Sequence, residues 1–196
     1  MGKRLELRMT PIVAILFLGM LFADHTGVWF VTLLAALVHE MGHLLAAKYL
    51  HIPIKNLRIG LLGARLSVRG RMLSYGEEWL LCAAGPFASL LASAAASPFW
   101  RCGQIAQWFS CASLLLGILN LLPIRSFDGG RMLQSLLSCF LPEGRVLALM
   151  RLISFFFLFL LWAVAIYFLL KVGEGLSLFC FSMSLFYRFF EHNPEL

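Results

Sequence analysis

Val38-His39-Glu40-Met41-Gly42-His43-Leu44 sits inside a run that is otherwise almost wholly apolar. From Val28 to Ala47, His39, Glu40 and His43 are the sole charged or imidazole-bearing side chains. A segment that threads lipid avoids such groups, because a charge near the centre of a spanning helix costs about 2.5–3.5 kcal/mol on insertion scales. On a helix, residues four apart lie one turn above each other, so His39 and His43 point the same way and can share one cation. Imidazole nitrogen suits Zn²⁺ at about 2.0–2.1 Å. Glu40 falls near the same face, placed to take a proton from a water that the metal activates. Gly42, between the histidines, lets another backbone or a substrate come close. This is the His-Glu-x-x-His arrangement of metalloproteases. The bland alternative is a polar cluster near a helix end, packed or solvated.

Outside this stretch the chain is equally apolar. Of 196 residues, 61% are hydrophobic and 13% charged, against about 25% charged in an ordinary soluble domain. The mean hydropathy is +0.86. That composition is that of a polytopic membrane protein. The net charge of +6 does not point to nucleic acid, because the basic residues lie between apolar runs, where a membrane surface explains them. Cys82, Cys102, Cys111, Cys139 and Cys180 form no Cys-x-x-Cys pair. They read as small hydrophobes, and no disulfide is expected.

Six apolar runs are expected to span: Pro11 to Ala23, Val28 to Leu50, Glu78 to Trp100, Ile105 to Leu122, Leu147 to Leu170 and Leu176 to Phe190. The first is short against the roughly 20 residues a span needs and is expected to extend back towards Leu5, with Arg8 reaching the interface. Residues 52–75 differ in texture: Gly-rich, with basic and apolar residues alternating, as in short strands or a hairpin. With the N-terminus in the cytoplasm, 14 of the 16 lysines and arginines fall on the cytoplasmic side, leaving Arg101 and Lys171 outside. That split predicts an even number of spans, N-in and C-in.

Two histidines do not complete a catalytic zinc site, which takes three protein ligands and leaves the fourth position to water. Asp128, in "NLLPIRSFDGGRML" from Asn120, is the carboxylate best placed. Pro123 breaks the preceding helix, Gly129-Gly130 is read as a tight turn, and irregular backbone at membrane depth is tolerated where it lines a cavity. An N-cap role for Asp128 in the next helix explains the residue equally well. His25, His51 and His192 read as exposed or interfacial; His51 reaches a metal only if the helix bends.

Three stretches together resemble the site-2 protease family of intramembrane zinc metalloproteases, particularly short bacterial members similar to stage IV sporulation protein FB. They are His39-Glu40-Met41-Gly42-His43, Ala84-Gly85-Pro86-Phe87-Ala88-Ser89, and Asn120-Leu121-Leu122-Pro123 through Asp128-Gly129-Gly130. The resemblance covers Val28 to Leu133. It implies His39, His43 and Asp128 as ligands of one Zn²⁺ and Glu40 as general base. It assigns Asn120, Pro123, Gly85 and Pro86 to substrate positioning, and edge-on pairing of residues 52–75 to an unwound substrate. The chain departs from the family at Leu121 for Pro, Phe127 for Leu and Ser89 for Asn. With the sequence ending at Leu196, no PDZ or CBS module is expected, and a separate inhibitory or activating membrane protein is the expected substitute for such modules.

The expected fold is an all-α polytopic membrane protein: about six transmembrane helices in a single domain over 1–196, core 28–133, with a β-hairpin or strand insertion at 52–75. The expected function is an intramembrane zinc endopeptidase in a bacterial cell membrane. It would cut membrane-associated proteins near the cytoplasmic face, with the lipid bilayer and the substrate as partners and no nucleic acid. The alternatives are a non-catalytic zinc-binding scaffold, for which an intact Glu40 has no use, and a divalent-metal transporter, for which spans one, five and six carry too few ionisable residues.

Overall fold

An apolar run in lipid has no water to satisfy its amides, so it must close its hydrogen bonds within itself, as a helix does. The computed structural model describes residues 6–9, 26–52, 54–60, 63–68, 73–171 and 176–191. It is nearly all helical, in two units, Met1–Asn120 and Leu121–Leu196. Among the described residues, four helical stretches are long and apolar enough to cross a membrane: Val28–Tyr49, Tyr75–Cys102, Gln104–Leu121 and Glu143–Lys171. They coincide with the second to fifth expected runs. The first, Pro11 to Ala23, lies outside the described residues. Many large apolar side chains on these helices point outward, among them Phe30, Leu37, Leu45, Phe87 and Phe156, which suits lipid and not water.

In the first unit, α1 (Val28–Tyr49) buries Val31, Ala35, His39, Gly42, His43 and Ala47. Steps of three and four residues put these on one stripe. The helix ends in a Schellman motif: His51 N–H donates to the Lys48 carbonyl at 3.2 Å and Ile52 N–H to the Ala47 carbonyl at 2.9 Å. His51 takes the left-handed backbone conformation this requires, with φ 52, and its side chain is exposed. Ile52 then packs with Ala47 and Leu81.

Helix α2 (Tyr75–Ala96) starts on a capping box in which Ser74 Oγ accepts from Glu77 N–H and the Glu77 carboxylate accepts from Ser74 N–H. Its buried face carries Leu81, Cys82, Gly85, Pro86, Ser89 and Ser93. Helices α1 and α2 pack closely because Gly42 has no side chain: a Cβ there would lie 2.5 Å from the Ala84 carbonyl oxygen. A 3₁₀ turn, Ser97–Cys102, leads to α3 (Gln104–Leu121). Ser110 Oγ donates to the Ser93 carbonyl at 3.0 Å, and the two hydroxyls lie 3.1 Å apart, so these two apolar helices are also joined by hydrogen bonds.

Among the described residues of this unit there are three strands, β1 (Glu6–Met9), β2 (Ile54–Gly60) and β3 (Gly63–Val68), in the order β1-β2-β3. Strands β2 and β3 run antiparallel from Ile54↔Val68 to Gly60↔Gly63, with an irregularity between Ile54 and Asn56. Strand β1 runs parallel to β2, from Glu6↔Asn56 to Met9↔Ile59. The expected backward extension of the first span through Arg8 is therefore wrong. Those backbone groups make ladder bonds to β2, which serve them as well as a helix would.

In the second unit, the segment after Leu121 turns twice. Ile124 N–H reaches the Leu122 carbonyl around Pro123, and Phe127 N–H reaches the Ile124 carbonyl, each at 2.8 Å. Arg125 N–H is held by Ser154 Oγ at 3.1 Å, a serine buried on α5 (Glu143–Lys171). Between the turns and α5 lies α4 (Asp128–Ser138). Helix α6 (Leu176–Glu191) has 16 residues, short for a span. It contributes Phe181, which stacks on Phe127, and Phe189, which packs on Phe155. None of the five cysteines forms a disulfide.

Candidate metal centre

His39 and His43 are buried to 5% and 8% exposure, which removes both imidazoles from water and makes every ring nitrogen need a partner. His43 Nδ1 lies 2.8 Å from the Leu81 carbonyl oxygen. A carbonyl only accepts, so Nδ1 carries the proton, and in the neutral ring the lone pair is on Nε2. His39 Nδ1 lies 2.9 Å from Ser89 Oγ, and Ser89 is fully buried. The two Nε2 atoms face each other at 3.2 Å. Two ligands at about 2.05 Å on a tetrahedral ion stand about 3.3 Å apart. The observed spacing is close to that of two nitrogens on one cation and is also hydrogen-bond distance between the rings, and both outward nitrogens have the oxygen partners that orient metal-bound imidazole.

Gly85 forms the wall opposite the rings. A Cβ there would run into His43 Nε2 and come within 2.8 Å of His39 Nε2. The space that α2 leaves at this point is taken up by the two imidazoles. The donor set and the cradle fit zinc. Glu40 follows His39 on α1 and is half-buried, a position from which a carboxylate reaches both protein and water.

Asp128 belongs to the second unit. It opens α4, half-buried, with extended Phe127 as the N-cap residue and no side-chain cap bond there. Asp128 is thus one residue inside the helix and is not the N-cap; its charge suits the positive end of the helix dipole. Gly129 and Gly130, read from sequence as a tight turn, are instead buried in the first helical turn. A Cβ on Gly129 would strike the Leu121 carbonyl, and one on Gly130 the Ile124 carbonyl. Their smallness lets α4 start against the backbone of 121–125, and that fixes where Asp128 stands.

Asn120, at the end of α3, donates from Nδ2 to the Leu116 carbonyl at 2.9 Å. Gly85 and Pro86 are buried, and Pro123 is half-buried in the γ-turn. Ser89 and the Leu81 carbonyl are the functional groups that sequence reading missed. Ser89 was visible there as a departure from the family's Asn, but nothing in the linear order pairs it with His39, fifty positions earlier.

Three comparisons bear on this site. The sequence profile of peptidase family M50 matches residues 83–161, which include Gly85, Asn120 and Asp128 and begin after the histidine pair. A Mycobacterium tuberculosis protein that carries the name of a zinc metalloprotease, Rip3, is 30% identical over 118 residues, 55% of this chain, in both the Erdman and H37Rv strains. The chain spans 30% of that protein's length. Among solved structures, the site-2 protease from Methanocaldococcus jannaschii superposes with a TM-score of 0.64 at 17% identity, over 95% of this chain and 91% of that one. The resemblance read from the motifs is met again in the profile match over residues 83–161 and in the relative named as a zinc metalloprotease, and the solved structure shares the fold. The chain is a membrane protein with the site-2 protease fold.

Proposed function

We propose that this chain is a zinc endopeptidase that hydrolyses peptide bonds of membrane-associated proteins near the cytoplasmic face. His39, His43 and Asp128 hold one zinc ion and Glu40 is the general base. The observation that carries the reading is the pair of Nε2 atoms 3.2 Å apart, each ring oriented through its Nδ1. The M50 profile match and the relative named as a zinc metalloprotease support it.

When bound, zinc supplies a Lewis acid that polarises the scissile carbonyl and makes water nucleophilic at neutral pH. His39 and His43 bind through Nε2 as neutral rings. Asp128 would add a carboxylate oxygen as the third protein ligand. The Glu40 carboxylate takes a proton from the attacking water and passes it to the departing amide nitrogen. Asn120 uses one Nδ2 proton on Leu116; its second is directed at substrate. Gly85 and Pro86, being buried, act on substrate through the path of α2 and the rings they border, and Pro123 through the turn leading to Asp128. The 14-to-2 charge split and the six apolar runs support six spans with both termini inside. A hairpin at 52–75 whose edge pairs with unwound substrate suits the chemistry, since a helical peptide bond must unwind before water can attack. A separate membrane protein that inhibits or activates the enzyme belongs to the same reading.

Metal content of the purified protein in detergent tests the proposal without a substrate. Near one zinc per chain is expected for wild type and Glu40→Gln, with marked loss in Asp128→Ala. Folded wild type that holds no zinc after zinc is supplied overturns it.

A further inference from the structure

Between Arg145 and Lys171, Arg151 is the one charged residue of α5. Residues 152–170 carry no charge. At 1.5 Å per residue they cover about 29 Å, close to the roughly 30 Å hydrocarbon thickness of a bilayer. Arg151 therefore stands at the edge of the apolar layer, at the depth where lipid phosphates begin. Its protein surroundings do not satisfy it. The residue is half-buried, and its Nε is sealed from solvent without a hydrogen-bond partner, an orientation that costs free energy. The carboxylate that α5 itself carries, Glu143, is eight positions away, outside the three- or four-residue spacing at which helical side chains pair.

A second arginine comes to the same place. The Ser154 hydroxyl accepts the Arg125 N–H at 3.1 Å, and Ser154 lies three residues from Arg151, on one face of the helix with it. The turn that carries Arg125 is thus held against α5 beside Arg151. Arg125 is exposed, and neither guanidinium bonds to another described residue. Two cations at this depth without a counter-charge among the described residues repel each other until an anion joins them.

We propose that Arg125 and Arg151 form a binding site for the phosphate of an anionic phospholipid, at the membrane boundary where α5 begins. Turned outward, the Arg151 guanidinium presents Nε–H and Nη–H as a fork that fits two phosphate oxygens, and its orphaned Nε–H gains an acceptor. No bond to a described residue holds the side chain back. Deeper along α5, Leu152 and Phe155 are exposed, at 67% and 43%. They offer an apolar surface to acyl chains attached to the phosphate, an advantage that a free phosphate does not have.

The test compares the full chain with Arg151→Gln and Arg125→Gln in uncharged detergent and follows retained phosphatidylglycerol and phosphatidylcholine by native mass spectrometry. Wild type should retain phosphatidylglycerol in preference to phosphatidylcholine. Each substitution should weaken that retention about fivefold, the worth of one cation at a membrane surface, while Lys171→Gln, at the other edge of the same helix, should leave it unchanged. Thermal midpoints without lipid should match wild type, since neither arginine side chain bonds to a described residue. Equal retention of the two lipids overturns the proposal, and so do arginine variants that retain phosphatidylglycerol like wild type or no better than Lys171→Gln does. A midpoint that falls without lipid makes the arginines structural and overturns it as well. Inorganic phosphate that displaces the lipid at equal concentration overturns the lipid assignment in favour of a free anion.

Discussion

The α-carbon of Gly85 stands so close to His43 that one added methyl group would occupy the space of the ring's Nε2. The contact also runs to His39, so one backbone atom on α2 sets the clearance for both imidazoles. Gly85→Ala is expected to abolish zinc binding. The cost falls on the rings, which can rotate away, so the helices should persist. Circular dichroism within error of wild type, with zinc content near zero, is the expected pair of results.

Glu40→Gln separates catalysis from assembly. The amide cannot take a proton from water but keeps the size of the carboxylate. Loss of a general base costs about 10²–10⁴-fold. Cleavage of a reporter carrying one apolar span should fall by that much, while zinc content stays near one per chain. Equal cleavage by the two proteins would remove Glu40 from the mechanism.

Gly129→Ala is expected to displace α4 from the 121–125 backbone, because the obstacle is the Leu121 carbonyl and not a flexible side chain. Overpacking of this kind costs about 1–3 kcal/mol. The thermal midpoint in detergent should fall, and zinc affinity with it, since the aspartate beside the glycine moves too. Unchanged affinity would argue against Asp128 as a ligand.

His51→Gly should do the opposite. The position needs positive φ, which costs a residue with a Cβ about 1–2 kcal/mol. His51 is exposed and outside the proposed metal site, so a raised thermal midpoint at constant zinc content is the expected outcome. Loss of zinc would instead make His51 a ligand.

Ser74→Ala removes one half of the capping box at the start of α2 and should cost about 1 kcal/mol. Amide exchange at residues 75–78 should rise first, because those are the groups the cap satisfies.

How much of this was visible beforehand follows from how local each signal is. The His39–His43 pairing depends only on helix pitch, so the four-residue spacing sufficed. The four described spanning stretches depend only on hydropathy and length. Ser89 and Leu81 were not visible as partners of the rings, because a crossing of two helices brings them there and no sequence period records which hydroxyl or carbonyl meets which nitrogen. Gly129 and Gly130 were misread because a glycine needed for close approach looks the same in sequence as one needed for a turn. The N-cap alternative for Asp128 failed by one position, a distinction that rests on Phe127 being the residue with extended backbone. Strand β1 was hidden because four residues beside a long apolar run carry too little pattern of their own.

The pairing of β1 with β2 has a consequence for synthesis. Glu6 is made fifty positions before Asn56, the residue it faces. At about 5–20 residues per second, the first strand leaves the ribosome roughly 2–10 seconds before its partner exists. During that interval α1 is also made, with its histidines. The sheet can close only after this helix has been completed, so the order of translation places sheet closure after α1 and lets it precede α2 and α3.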